Sequence, residues 1–159
     1  ELLMATPKKG TGSGTSFELS SDNGATWTKF MSVTKVTPPE YTRNTVDLTD
    51  NSSFDTNNQM KEFGTGFIEG GDLKVDGFVH VEDKGLAFAE TCFYSGEIVS
   101  AKLVSPPWLN KTLVYPGVIT GLQPIGELDP ENGIPYSMTV KVTGKPTVAA
   151  TKTNEGGGT

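Results

Sequence analysis

Asp72-Leu-Lys-Val-Asp-Gly-Phe-Val-His80 alternates polar and apolar residues with a period of two, the repeat of a half-buried β-strand. Leu73, Val75 and Val79 face inward in this reading, and Asp72, Lys74 and Asp76 face outward. The same alternation returns near the C-terminus. There Tyr136, Met138, Val140 and Val142 fall on one face, and Ser137, Thr139 and Lys141 on the other. Two such strands, each with one dry and one wet side, are what an antiparallel sheet over a core requires.

Moving outward, Thr15–Ser20 alternates with Phe17 and Leu19 on one face, and Asp22-Asn23-Gly24 is a hairpin turn signal. A return strand is expected over 25–36, bringing Trp27, Phe30 and Val33 to the core, with Pro38-Pro39 ending it. Residues 40–49 read as a further strand. Residues 50–58, Asp-Asn-Ser-Ser-Phe-Asp-Thr-Asn-Asn, are too polar and too rich in turn formers to pack in a core. Such an excursion in a compact domain is functional or disordered. Gly64-Thr-Gly66 and Gly70-Gly71 read as turns. One helix is expected, capped by Asp83, with Leu86, Ala89 and Phe93 towards the sheet and Gly96 ending it. Strands follow at 98–105, 113–123 and 136–143, broken by Pro106-Pro107, Pro116-Gly117 and the turn at 129–133.

Composition agrees with this β-rich pattern. Nineteen Gly and ten Pro in 159 residues are too many for a helical bundle. Cys92 is the only cysteine, so no internal disulfide or multi-cysteine zinc site exists, as suits folding in a reducing cytoplasm. No apolar run is long enough to cross a bilayer. The first residues lack the order of a signal peptide, and Met4 is a candidate natural start. The net charge of −6 is unevenly spread. Residues 1–39 balance at +1, residues 40–83 at −7 and residues 84–159 at zero. With no basic stripe, a nucleic-acid-gripping surface is excluded.

Catalytic patterns are absent. His80 is alone, no Gly-x-Ser-x-Gly elbow accompanies it, and the pair Asp129 and Glu131 sits in a turn-forming stretch. Gly64-Thr-Gly66 lacks the third glycine of a dinucleotide fingerprint and precedes a strand. Cys92 reads as a small buried apolar residue, and Trp27 and Trp108 as core or interface anchors. No catalytic residue, metal ligand or cofactor is expected.

Two stretches resemble the major tail tube proteins of lambda-like, long-tailed, non-contractile bacteriophages. One is Thr45-Val-Asp-Leu-Thr-Asp-Asn-Ser-Ser53 followed by Phe63-Gly-Thr-Gly-Phe-Ile-Glu-Gly-Gly-Asp-Leu-Lys-Val-Asp-Gly-Phe78. The other is Met138-Thr-Val-Lys-Val-Thr-Gly-Lys-Pro146. With the order of elements, the resemblance spans residues 12–148; nothing matches the C-terminal immunoglobulin-like domain of some relatives. It implies a structural subunit that forms hexameric rings, stacked into a hollow conduit for DNA passage into the host; with the acidic excess at 40–83, an acidic-lined channel that repels phosphates is expected. It also implies partners: other copies of itself, a tail tip or initiator protein, a tail terminator and a tape measure protein in the lumen. The place would be the virion tail, after synthesis in the host bacterial cytoplasm.

The resulting expectation is a mainly β fold, an antiparallel β-sandwich or half-barrel with one flanking α-helix and a long polar loop. A flexible arm would occupy residues 1–14, the tail-tube domain 15–147 and a flexible tail 148–159. Candidate lumen-lining residues are Asp72, Lys74, Asp76, Glu40 and Glu69. Candidate ring-stacking residues are Asp47, Thr49, Asp50, Asn51, Ser52, Ser53, Phe54 and Asp55. The alternative from another class is a monomeric β-sandwich binding module for carbohydrate or adhesion, recognisable by exposed aromatics set among Asn and Asp.

Overall fold

The computed structural model describes residues 10, 12, 14–56 and 58–150. The expected arm at 1–14 and tail at 148–159 lie largely outside them. Twelve elements follow in chain order: β1 (Ser16–Ser20), β2 (Thr28–Lys29), β3 (Lys35–Thr37), β4 (Tyr41–Asp47), α1 (Asn51–Thr56) and β5 (Phe63–Gly70) come first. Then come β6 (Asp72–Phe78), α2 (Lys84–Ser95), β7 (Ile98–Val104), β8 (Lys111–Gln123), β9 (Pro135–Val142) and β10 (Thr147–Ala150). The fold is mainly β and antiparallel, as expected. It has a second, short helix, α1, inside the stretch read as too polar for structure.

One large sheet runs in the order β2-β1-β7-β8-β9-β6-β3, with β10 also paired to β8. Its two ends are strands only five residues apart in the chain, residues 30–34. Lys29 to Lys35 can span about 21 Å when fully extended. Six strand spacings in a flat sheet would need about 29 Å. The sheet must therefore curl, and 30–34 bridges its mouth. Phe30 N–H donates to Phe17 O at 3.0 Å on one side, and Thr34 N–H to Asp76 O at 2.8 Å on the other. The Tyr136 hydroxyl donates to Ser32 O, and Phe78 N–H to Ser32 Oγ at 3.2 Å. This corrects the single return strand expected over 25–36. Instead of one strand there are two short ones on opposite edges, because Phe30 leaves the ladder to enter the core.

The concave face of the sheet carries the core. Phe17 and Leu19 from β1, Leu73 and Val75 from β6, and Tyr136, Met138 and Val140 from β9 are all at most 1% exposed. Phe30 stacks on Tyr136 with ring centroids 5.9 Å apart and meets Phe17 at 5.3 Å. Helix α2 closes the layer, burying Leu86, Ala89 and Cys92, while Phe93 is only half-buried. Its start follows the sequence signal: Asp83 accepts from Leu86 N–H at 3.2 Å, and Gly96 in the left-handed region ends it.

Pro116-Gly117, expected to break the chain, lies inside the 13-residue β8. Residues 111–114 pair with β10 and 117–123 with β9, so Pro116 falls where the neighbouring strand changes. Its carbonyl accepts from Thr143 N–H on that side at 2.9 Å. The donor that proline lacks would point into the same gap, so no ladder bond is lost.

Candidate assembly interface

A separate two-stranded ribbon, β4 paired with β5, projects from this half-barrel. Tyr41 pairs with Gly70 at its base and Asp47 with Phe63 at its tip, with a bulge between Arg43 and Thr45. Gly64-Thr-Gly66 is strand, not turn: a Cβ on Gly66 would approach Asn44 O to 2.9 Å, and one on Gly64 would meet Leu48 Cδ1 at 2.8 Å. The glycines let the two strands and Leu48 come together.

Neither face of the ribbon is covered. Val46, Phe63, Phe67 and Ile68 are each about half exposed or more, Phe67 by 88%. Phe67 and Ile68 are consecutive in a strand, so they point to opposite faces. An isolated two-stranded ribbon with apolar residues on both sides buries little within its own chain.

The tip is locally well built. Leu48 N–H donates to Glu62 O at 2.9 Å, and Glu62 N–H to Thr49 Oγ1 at 2.9 Å. Asp50 Oδ1 accepts from Ser52 N–H at 2.9 Å and from the Ser52 hydroxyl, starting α1. Ser53 is 1% exposed and its hydroxyl donates to Glu62 Oε2 at 2.8 Å. Hydrogen bonds from Thr49, side chain first, hold the Asp47 carboxyl below its usual range, and those from Ser52 do the same for Asp50. Both stay anionic at neutral pH. Around them Leu48, Phe54 and Met60 stand exposed.

All the stacking candidates, Asp47 to Asp55, therefore meet at one tip. Ser53 is turned inward as an internal brace. Sequence reading missed the apolar part of the surface, Leu48, Met60, Phe63, Phe67 and Ile68. Adjacent Phe67-Ile68 in a strand was the available signal, since a one-sided strand would not carry both.

Of the lumen candidates, Asp72, Lys74 and Asp76 share the outer face of β6. Across the ladder Lys141 stands opposite Asp72, and Lys35 opposite Asp76. The face is therefore of mixed charge. Glu40 and Glu69 sit on the ribbon base, exposed, and are not in this row. Lys102 pairs with Glu18 at 3.2 Å on the outer face near β1 and also lies 5.1 Å over the Trp27 ring.

Where the ribbon joins the end of β9, an open cleft of about 860 Å³ is lined by Tyr41, Arg43, Ile68, Glu69, Lys141 and Lys145. Burial, then the neighbouring Tyr115, raises the Tyr41 phenol above its usual range. Among the described residues no group of three His, Cys, Asp or Glu is placed to hold a metal, and no helix is long and apolar enough to cross a membrane.

The fold has solved counterparts. A chain from the tail of an empty gene transfer agent particle, refined helically with C6 symmetry, matches with a TM-score of 0.68 at 15% identity. That match covers 89% of this chain and all of the other. This chain shares the fold of that tail component. A chain of the six-fold symmetrised anti-feeding prophage baseplate shares it as well, at a TM-score of 0.68 and 11% identity, over 94% of this chain and all of that one. So does a chain from the sheath/tube terminator of an extracellular contractile injection system, at 0.56 and 11%, over 84% and 93%. The tail fold thus occurs in contractile systems too. No sequence profile of a known protein family matches the chain, and neither does any curated protein.

Proposed function

We propose that this chain is the structural subunit of a phage-type tail tube, assembling as hexameric rings that stack into a hollow conduit for DNA. The observation that carries the reading is the projecting ribbon with apolar residues on both faces, on a fold shared with six-fold symmetric tail particles. Such a surface is an aggregation hazard in a monomer and an anchor in an assembly. The edges β2 and β3 of the curled sheet add further pairing surfaces. The sequence motifs favour the long-tailed, non-contractile kind.

In this reading the tip residues Asp47, Thr49, Asp50, Asn51, Ser52, Phe54 and Asp55 contact the neighbouring ring. The outer face of β6, with Asp72, Lys74 and Asp76, lines the lumen, and Glu40 and Glu69 sit at its rim. The charges on that wall, Lys35, Lys74 and Lys141 against Asp72 and Asp76, come to +1, and to −1 with Glu40 and Glu69 at the rim; so small a net charge lets DNA slide without gripping it. The partners are further copies of the chain, a tail initiator, a terminator and a tape measure protein within the lumen. The location is the virion tail, and synthesis is in the host cytoplasm. The role is mechanical, with no catalysis.

Negative-stain electron microscopy of the concentrated protein, with its solution mass, tests this. Hollow rings or tubes are expected. A chain that stays monomeric and binds a glycan would replace the reading with a binding module.

A further inference from the structure

The cleft at the ribbon base, which Glu69 and Lys141 share with the border of the proposed lumen, has no occupant in the reading above. Its wall carries Arg43, Lys141 and Lys145 against Glu69, a balance of +2, over apolar surface from Ile68 and Pro146. At the far end of the same ribbon, residues 47–62 carry Asp47, Asp50, Asp55 and Glu62 against Lys61, a balance of −3. Leu48, Phe54 and Met60 are exposed beside these charges. Cleft and tip are thus opposite in sign and alike in apolar character. They also lie towards opposite ends of the ribbon: the six steps of β4 from Tyr41 in the cleft to Asp47 at the tip span about 20 Å. A paired ribbon of that length cannot fold its own tip back into its own base.

The geometry points to a second copy of this chain as the occupant: the acidic, apolar tip of one subunit docks in the basic cleft of the next. Two different patches meet in such a contact, so it is heterologous and passes from copy to copy. Each subunit offers one tip and one cleft, and a bound subunit always presents a fresh site. The charges steer the encounter, and the apolar residues hold the docked tip. This assignment rests on the tube-subunit reading and supplies the receiving surface for its stacking loop.

Reciprocal charge exchange tests it, read by sedimentation velocity. The cleft variant is Lys141→Glu with Lys145→Glu, and the tip variant is Asp47→Lys with Asp55→Lys. Each alone should need about tenfold more protein to assemble, as two attractive pairs become repulsive. An equimolar mixture of the two should regain wild-type assembly, since every tip then meets a cleft of opposite sign. The mixture also controls for folding, because misfolded variants cannot rescue one another. If Lys141→Glu unfolds the chain through Asp72 opposite, Lys145→Glu with Asp55→Lys reads the same exchange. A folded cleft variant that assembles like wild type overturns the docking while leaving self-assembly intact, and so does a mixture that fails to recover. A wild-type chain that stays monomeric at every concentration overturns both.

Discussion

Gly77 lies on β6 where the bridge at residues 30–34 crosses the curled sheet, and no side chain fits there. A Cβ at this position would collide with Ser32 O and come within 2.7 Å of the Tyr136 ring and its hydroxyl oxygen. Gly77→Ala should lower stability by about 1–3 kcal/mol, the range for overpacking, as measured by urea unfolding. Asp83 is 6% exposed and caps α2, so Asp83→Ala should cost about 1 kcal/mol in the same assay. Tyr136 gives a pH signature. Burial, then the charges of Asp83 and Asp76, push its phenol well above the ordinary 10.0. The folded chain holds this proton more tightly than the unfolded one. The stabilisation is therefore complete below pH 10.0 and is lost as pH rises beyond it. Unfolding midpoints should fall steeply above that value, and Tyr136→Phe should flatten the fall while lowering neutral-pH stability by about 1 kcal/mol for the lost hydrogen bond.

At the scale of elements, the ribbon is separable from the core. Its strands pair with each other, its tip is braced by Ser53 and Glu62, and its apolar side chains remain largely exposed. Replacing Asp47 to Ser53 by a short Gly/Ser linker should leave a folded chain, with unchanged near-ultraviolet circular dichroism, that no longer stacks. Unchanged tubes from that variant would remove the tip from the assembly. Strand β4 and the polar tip were legible in the sequence, since turn formers at 50–58 cannot enter a core. The short helix α1 was not. It depends on Asp50 and Ser53 reaching local backbone partners and Glu62, contacts that no periodicity announces. Phe67 and Ile68 carried a signal on opposite faces, but only the bare ribbon shows that neither face is covered.

For the whole molecule, β6 was expected to present an acidic wall. The register instead sets Lys35 and Lys141 against Asp76 and Asp72, with Lys74 between the two acids. A lumen built on this face is nearly balanced, and its passivity to DNA depends on the two aspartates. Asp72→Lys with Asp76→Lys adds four positive charges per subunit. Assembled variant tubes should then retain duplex DNA on a filter at low salt and release it steeply as salt rises, while wild-type tubes retain none. Equal retention by both would remove this face from the lumen.

The amino-acid sequence alone determined the alternating strands β1, β6 and β9 and the capped helix α2. These depend on neighbours within a few residues: side-chain alternation, a capping carboxylate, turn chemistry. Only the tertiary structure decided that residues 25–37 split across two edges of one sheet, that Pro116 fits inside a strand, and that lysines from β3 and β9 face the acids of β6. Each of these is fixed by contacts between residues far apart in the chain: Lys35 with Asp76 and Asp72 with Lys141 in the ladders, and the Tyr136 hydroxyl on Ser32 O, 104 positions away. Local sequence holds no record of such pairings, because a strand's own pattern states which face is dry and leaves open which strand lies beside it.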